Sequence, residues 1–154
     1  MNKCLSNLSL IVITLLLSSC GQNTKDWPRT SFAFTYEMVI ETKLYFHQKA
    51  NDYVKEIDDS RESSDALFSK RVIESITALP YKEKKEKTVD AKNYSLLLSI
   101  QFTYLNDNVE EIENIKFYEY GISNGKVVFN NGDIHFFPGT VRGIYNSIVD
   151  GDKR

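Results

Sequence analysis

Hydrophobic and polar residues alternate along two long stretches of the chain. From Phe32 to Ile40 the even-numbered positions are mostly apolar, and the same pattern returns from Tyr94 to Tyr104. A period of two residues is typical of strands that bury one face. We therefore predict strands over 32–41 and 93–105, the second of them central in a sheet.

A helical period follows the first strand. Apolar residues recur every three or four positions between 42 and 57, which favours a helix, although the strand pattern runs on to Phe46 and competes with it. The polar stretch 58–65 has no period, and we interpret it as a loop. Residues 64–79 carry an apolar stripe at helical spacing, with Ser64 or Asp65 as a cap and Pro80 as a stop.

Turn residues divide the second half of the chain. A turn at 106–108 precedes a predicted strand over 112–120, and Asn124-Gly125 predicts a two-residue hairpin. Short strands over 126–129 and 133–137 flank another turn that contains Asn and Gly. Thr140 can cap a short final helix, whose apolar side contains Val141, Ile144, Tyr145 and Ile148.

These elements predict one α+β domain over residues 31–150. Strands joined by hairpins favour an antiparallel sheet, here of four or five strands, packed against the main helix over 64–79. The short C-terminal helix would close an edge or an end of the sheet. The mixed-charge run 82–87 is typical of a solvated segment, and residues 151–154 form a polar tail.

The first twenty residues have a different composition. Lys3 precedes an apolar run over 8–17, which is shorter than the ~20 residues that a membrane-spanning helix needs. Leu17-Ser18-Ser19-Cys20 follows directly. This segment resembles the lipobox of bacterial lipoproteins. The resemblance covers the leader alone and says nothing about the domain behind it.

The resemblance implies a specific maturation. Residues 1–19 would be a signal peptide, and Cys20 would carry covalent lipid, including palmitate-type acyl chains, at the start of a tether over 20–30. The protein would be exported and held in the bacterial cell membrane or the outer membrane. As a flexible coil, the ten residues after Cys20 would span about 17 Å. We expect Trp27 to pack on the edge of the domain or to lie in the linker.

Composition restricts the remaining possibilities. Cys4 would leave with the leader, so Cys20 would be the sole cysteine and the domain would depend on its hydrophobic core rather than on a disulfide. Loss of Lys3, the one charged residue of the leader, moves the formal net charge from −2 to −3. A weakly acidic chain argues against nucleic acid as a partner.

Two groups of residues could carry acid–base or anion chemistry. Asp133 and His135 would share one strand face, as an acid–base pair or as two metal ligands, but no third ligand or nucleophile follows at a recognisable spacing. Solvent-facing polar residues on a hairpin are the simpler interpretation. Arg142 follows Gly139 and Thr140 at a helix start, where an anion could bind.

Aromatic residues give the best candidate for a binding surface. Tyr118 and Tyr120 share a strand face with Lys116, opposite Ile115 and Phe117. If Ile115 and Phe117 face the core, the two tyrosines stand exposed side by side, as in surfaces that bind glycans or proteins.

The sequence therefore favours a non-enzymatic, lipid-anchored envelope protein. We expect it to bind another envelope protein or a surface ligand, with an inhibitor or immunity-type role inside this class. We expect no metal and no cofactor apart from the lipid on Cys20. The alternative is a small envelope hydrolase or metal-dependent enzyme that uses Asp133, His135 and a glutamate.

Overall fold

Seven antiparallel strands form one sheet in the computed structural model, which describes residues 27–83, 88–121, 124–128 and 132–151. Two helices pack against one face of this sheet. In chain order the elements are β1 (Val39–Gln48), β2 (Ile57–Ser63), α1 (Ala66–Thr77), β3 (Lys82–Glu83), β4 (Leu96–Asn106), β5 (Val109–Tyr120), β6 (Asn124–Val128), β7 (Ile134–Phe137) and α2 (Val141–Asp150). Across the sheet the order is β2-β1-β4-β5-β6-β7-β3.

The core lies between the helices and one face of the sheet. Alternate residues of the central strands are buried there, which is the period-two pattern that the sequence shows. The two helices contribute one apolar side each. The residues that meet in this core include Leu44, Phe46, Leu98, Ile100, Phe102, Ile115, Phe117, Val72, Ile76, Ile144 and Ile148. Each such side chain stabilises the fold by about 1.5–3 kcal/mol relative to an exposed position.

The structure confirms the α+β class, the antiparallel sheet, the main helix and the short C-terminal helix. Asp65 caps α1 by accepting a hydrogen bond from the Leu67 N–H at 3.0 Å. Thr140 caps α2 in the same way, with 3.0 Å from the Gly143 N–H to its hydroxyl. The turn between β4 and β5 lies at Asp107 and Asn108, as predicted.

The predicted helix over 42–57 is wrong. Strand β1 continues to Gln48, because Leu44 and Phe46 are both buried in the core while Tyr45 between them points to the other face. The apolar residues that suggested a helix lie partly outside any element, and Val54 is 40% exposed. The predicted loop over 58–65 is also wrong, since β2 pairs with β1 over its full length.

The predicted strand over 32–41 begins later than expected. Residues 36–38 form a 3-10 turn, and regular strand starts at Val39. Phe32 and Phe34 are nevertheless apolar for a structural reason, because both rings lie against Phe102 in the core. The alternation of apolar and polar residues in this stretch therefore indicates which side chains are buried, but it does not indicate a strand.

An irregular segment over residues 27–35, here called the N-terminal strap, wraps one edge of the sheet. Its first residue, Trp27, lies 6.5 Å from Phe136 between ring centroids. The Tyr81 N–H then donates to the Pro28 carbonyl at 3.0 Å. Further on, Phe34 stacks on Tyr104 at 4.2 Å. Trp27 therefore packs on the edge of the domain, whereas Cys20 lies outside the described residues.

Candidate functional site

The face of the sheet opposite the helices, here called the open face, carries a row of one side chain from every strand. Residues paired directly across strands point to the same side of a sheet. The register therefore aligns Asp58, His47, Leu97, Tyr118, Lys126, Phe136 and Lys82, in that spatial order. Trp27 packs at the far end of this row, where the Lys82 ammonium lies 5.9 Å from its ring centroid.

Aromatic rings and one histidine form the centre of the open face. His47 is hydrogen-bonded through Nε2 to the Glu56 carboxylate at 3.0 Å and through Nδ1 to the Tyr94 hydroxyl at 2.8 Å. A carboxylate can only accept, so Nε2 carries a proton. Tyr94 also lies edge-on to Tyr118 at 5.9 Å. Burial raises the pKa of both tyrosines, and their hydroxyls therefore stay protonated.

Tyr118 and Tyr120 share this face as predicted, but the predicted exposure of Tyr118 is wrong. Only 6% of Tyr118 is accessible, because the ring of Tyr94 lies against it on one side and Tyr120 stacks beside it at 6.4 Å. Tyr120 is half-buried, and its hydroxyl donates to the Asp90 carbonyl at 2.9 Å. The alternation predicts that Tyr94 lies on the core face of β4. Tyr94 instead precedes that strand and packs on the open face against His47 and Tyr118.

Lysines surround these rings. The Lys49 ammonium lies 4.5 Å from the Tyr94 ring centroid, and that of Lys126 lies 5.4 Å from Tyr120. Lys116 is exposed on the same face. From β4 across to β3, the register places one carboxylate of the described residues on the open face, that of Glu110 near the β4–β5 turn. This half of the face is therefore rich in lysine and aromatic side chains, with the Asp90 carboxylate beside Lys49, although the net charge of the chain is negative.

Arg142 does not join the tyrosines. It lies near the start of α2 on the helix side of the sheet, where its guanidinium is 5.9 Å from the Phe46 ring centroid. At this helix start the Val141 N–H donates to the Glu119 carboxylate at 2.9 Å, and Thr140 accepts from Gly143. The protein's own acceptors thus occupy these donors of the predicted anion site.

A pocket of about 460 Å³ lies under the strap, on the helix side of the sheet. It contains the sequence-predicted pair Asp133 and His135, together with Glu113 of β5. The remaining lining comes from Tyr81, Tyr104 and strap residues Thr30, Ser31, Phe32, Ala33 and Phe34. His135 is half-buried and lies 4.9 Å from Tyr81 between ring centroids, so the predicted solvent-facing position is wrong for this histidine.

Two features are absent from the part of the chain that the structure describes. Within the ranges that the structure covers, no group of three or more His, Cys, Asp or Glu side chains is placed to hold a metal ion. Neither helix in those ranges has the length and apolar content needed to cross a membrane. The chain matches no protein-family model, no curated protein and no solved structure.

Proposed function

We propose that the protein is a non-enzymatic lipoprotein of the bacterial cell envelope that binds another envelope protein through its open face. The leader with Leu17-Ser18-Ser19-Cys20 supports the anchor, through its resemblance to a lipobox. More than one acyl chain on Cys20 would hold the protein durably in a membrane, since each buried methylene contributes about 0.8 kcal/mol.

The observation that carries the binding role is the composition of the open face. Tyr, Trp and Phe are enriched in protein interfaces because they bury large areas and lose little conformational entropy. Here the half-buried side chains of Tyr120, Phe136 and Trp27 lie along one side of the sheet, with lysines between them. The lysines favour a partner with an acidic surface, because like charges across an interface are strongly unfavourable. Inhibitor and immunity-type proteins belong to this class.

The short distance to the anchor supports a partner near the membrane. The strap already contacts the domain at Trp27, six residues after Gly21. A tether that short keeps the open face at a high local concentration beside the bilayer, so moderate affinity for a neighbouring protein is sufficient.

The anchor is tested by Cys20→Ala. We expect this variant to lose labelling by a radioactive fatty acid and to move from the membrane to the soluble fraction. Continued labelling and membrane retention of the variant would overturn the anchor.

The binding face is tested by photo-crosslinking in intact cells. A photoreactive residue at Ser99, on the open face, should capture a discrete partner, and Lys116→Glu should weaken that capture at least fivefold. Lys70→Glu, on α1, serves as the matched charge control and should leave the capture unchanged. Capture that is independent of both substitutions, or that carries glycan and no protein, would contradict the proposed partner.

One observation favours the alternative function, a small hydrolase. Asp133, His135 and Glu113 converge in the pocket instead of lying apart on a flat hairpin. If the pocket is catalytic, the protein should hydrolyse at least one member of a panel of chromogenic esters and glycosides, and His135→Ala should abolish that activity. Turnover that survives this substitution would exclude the role.

A further inference from the structure

The central strand β4 divides the open face into two halves. The side chains that β4 places on this face are all uncharged: Leu97, Ser99, Gln101, Thr103 and Leu105. On one side of them lie β1 and β2, and on the other side lies the lysine-rich half that begins with the exposed Lys116 of β5. A neutral strip thus separates the two halves.

The half formed by β1 and β2 is acidic. Among the described residues, the register places Glu41, Asp58 and Glu62 on its open face, together with Lys43. The Lys43 ammonium lies 3.1 Å from the Glu41 carboxylate and 3.6 Å from that of Glu62, so two carboxylates offset its charge. Asp58 adds an exposed carboxylate on the same strand as Glu62. The acidic surface that the lysines favour in a partner is therefore present on the chain itself.

The two halves are related in a way that a twofold axis can use. Rotation about a line parallel to β4, in front of the open face, leaves β4 opposite β4 and places β1 and β2 of one copy over β5 and β6 of the other. Lys116 of each copy then faces Tyr45 of the other, one strand away from Asp58. An axis perpendicular to the strands would leave each strand opposite itself, with acidic half on acidic half.

We propose that the open face binds a second copy of this chain, in a dimer whose twofold axis runs along β4. This inference rests on the proposed function, because it names the partner of the same face. In such a dimer both copies use the same patch, and the Lys116–Asp58 contact occurs twice. Sheets that pack face to face keep their strand directions within about 30° of each other, which the shared strand direction about this axis satisfies.

The area that the copies share fits a dimer of moderate affinity. The five strands from β2 to β6 are about 24 Å wide, and the residues from Glu41 to His47 span about 20 Å. Each copy therefore contributes about 500 Å², so the total reaches the roughly 1,000 Å² that a specific interface needs. The axis also leaves Trp27 of both copies at the same level along it. Both proposed anchors can then enter one bilayer, where a high local concentration supports the contact.

Cysteine crosslinking tests the position of the axis. Two Ser99→Cys side chains, on β4, would face each other across it. Ser60→Cys, on β2 in the same row, would lie about 19 Å from its counterpart, which is four strand spacings. In membranes from cells that make the full-length protein, a short bismaleimide should link the Ser99→Cys pair and leave Ser60→Cys unlinked. Wild type, with its own Cys4 and Cys20, is the background control. Equal linkage at both positions, or at neither, would overturn the dimer.

Exchange of charges tests the complementarity. Analytical ultracentrifugation of the full-length protein in detergent measures dimerisation. Lys116→Glu and Asp58→Lys should each weaken it at least tenfold, because each change places like charges opposite each other. An equimolar mixture of the two variants should regain the wild-type affinity as a heterodimer, which also shows that both are folded. Lys70→Glu, on α1, is the matched control and should dimerise like wild type.

The outcomes separate this inference from the proposed function. A mixture that stays monomeric, while circular dichroism shows both variants folded, would overturn the dimer. If the photoreactive residue at Ser99 captures a different protein in cells and the purified chain is monomeric, the dimer is wrong and the proposed function stands. If Ser99 captures no protein, neither the dimer nor the proposed binding role holds.

Discussion

Tyr104 donates its hydroxyl to Glu111 at 2.6 Å across the β4–β5 hairpin, where the two residues are direct partners in the strand register. Asn106 adds a second hydrogen bond to the same carboxylate at 3.0 Å. These bonds lower the pKa of Glu111 and raise that of Tyr104 to about 12. The hairpin is therefore fixed beside the pocket while Glu111 is ionised and Tyr104 is protonated.

Tyr104→Phe should remove a pH-dependent contribution to stability. The folded-state pKa of Tyr104 lies above its unfolded value of 10.0, so the contribution is complete below pH 10.0 and is lost as pH rises toward about 12. Urea midpoints of wild type and variant should differ at neutral pH and converge in this alkaline range. Tyr53→Phe, at a side chain that is 94% exposed, is the control and should match wild type throughout. A constant difference across the range would contradict the assignment.

Thr42 and Ser69 should show strong coupling. Their hydroxyls are hydrogen-bonded at 2.8 Å, with Thr42 0% and Ser69 1% exposed, and they join β1 to α1 inside the core. Thr42→Val alone should cost about 1–2 kcal/mol, because it removes a partner from a buried hydroxyl. The double variant with Ser69→Ala should cost less than the sum of the two single variants. Denaturant unfolding of all four proteins measures this, and additive costs would show that the pair is not coupled.

Asp59 on β2 should stabilise the folded protein through its hydrogen bond with Tyr145 of α2. Its carboxylate accepts from the Tyr145 hydroxyl and, at 3.0 Å, from Arg61 Nε. The hydrogen bond from Tyr145 is the largest cause of its lowered pKa, so the contribution is present above pH 3.8 and is lost as pH falls through the folded-state pKa. Asp59→Asn should cost about 1 kcal/mol at neutral pH.

The acid dependence separates this effect from a general loss of charge. Wild type and Asp59→Asn should approach the same stability as pH falls below 3.8, whereas Asp52→Asn, at an exposed position outside the strands, is the control and should match wild type in neutral buffer. Chemical unfolding in neutral and acidic buffers gives the comparison. A difference that grows toward low pH would have the wrong sign for this linkage.

Asn108 tests the turn between β4 and β5. It has a φ of 64°, and Asp107 before it has 49°, both in the left-handed region. Asn tolerates this region better than Ala, and glycine enters it without strain. Asn108→Ala should therefore destabilise the protein by about 1 kcal/mol, while Asn108→Gly should be neutral or slightly stabilising. Thermal unfolding measures the stabilities of the two variants. Equal stabilities of Asn108→Ala and Asn108→Gly would exclude backbone strain as the cause of the destabilisation.

The sequence predicts the fold well wherever local chemistry and burial agree. Asp65 and Thr140 cap helices, and Asp107-Asn108 turns the chain, because each acts through atoms within a few residues. The prediction over 42–63 was wrong because the local pattern and the burial disagree there. Strand β1 is buried through its pairing with β4, which lies much further along the chain. The edge strand β2 pairs with the preceding β1, and its polar side chains show no apolar period that would indicate a strand.

The candidate sites were predictable only in part. Alternation in β5 correctly places Tyr118 and Tyr120 on one face, but the burial of Tyr118 depends on Tyr94, which lies outside the strand pattern. Similarly, the sequence predicts that Asp133 and His135 lie on the same side of one strand. Glu113 and the strap complete their pocket only through tertiary packing.

The two edges of the sheet bear on how the protein behaves when many copies share a membrane. The β2 edge carries Asp58, Asp59, Arg61 and Glu62, and the opposite edge is β3, which carries the exposed Lys82. Charged side chains on an edge strand oppose pairing with a strand of another copy. Anchored molecules diffuse in two dimensions and collide often, so open edges would favour aggregation there. With charged residues on both edges, copies that share a membrane through the proposed anchor would meet their neighbours through the broad faces of the sheet.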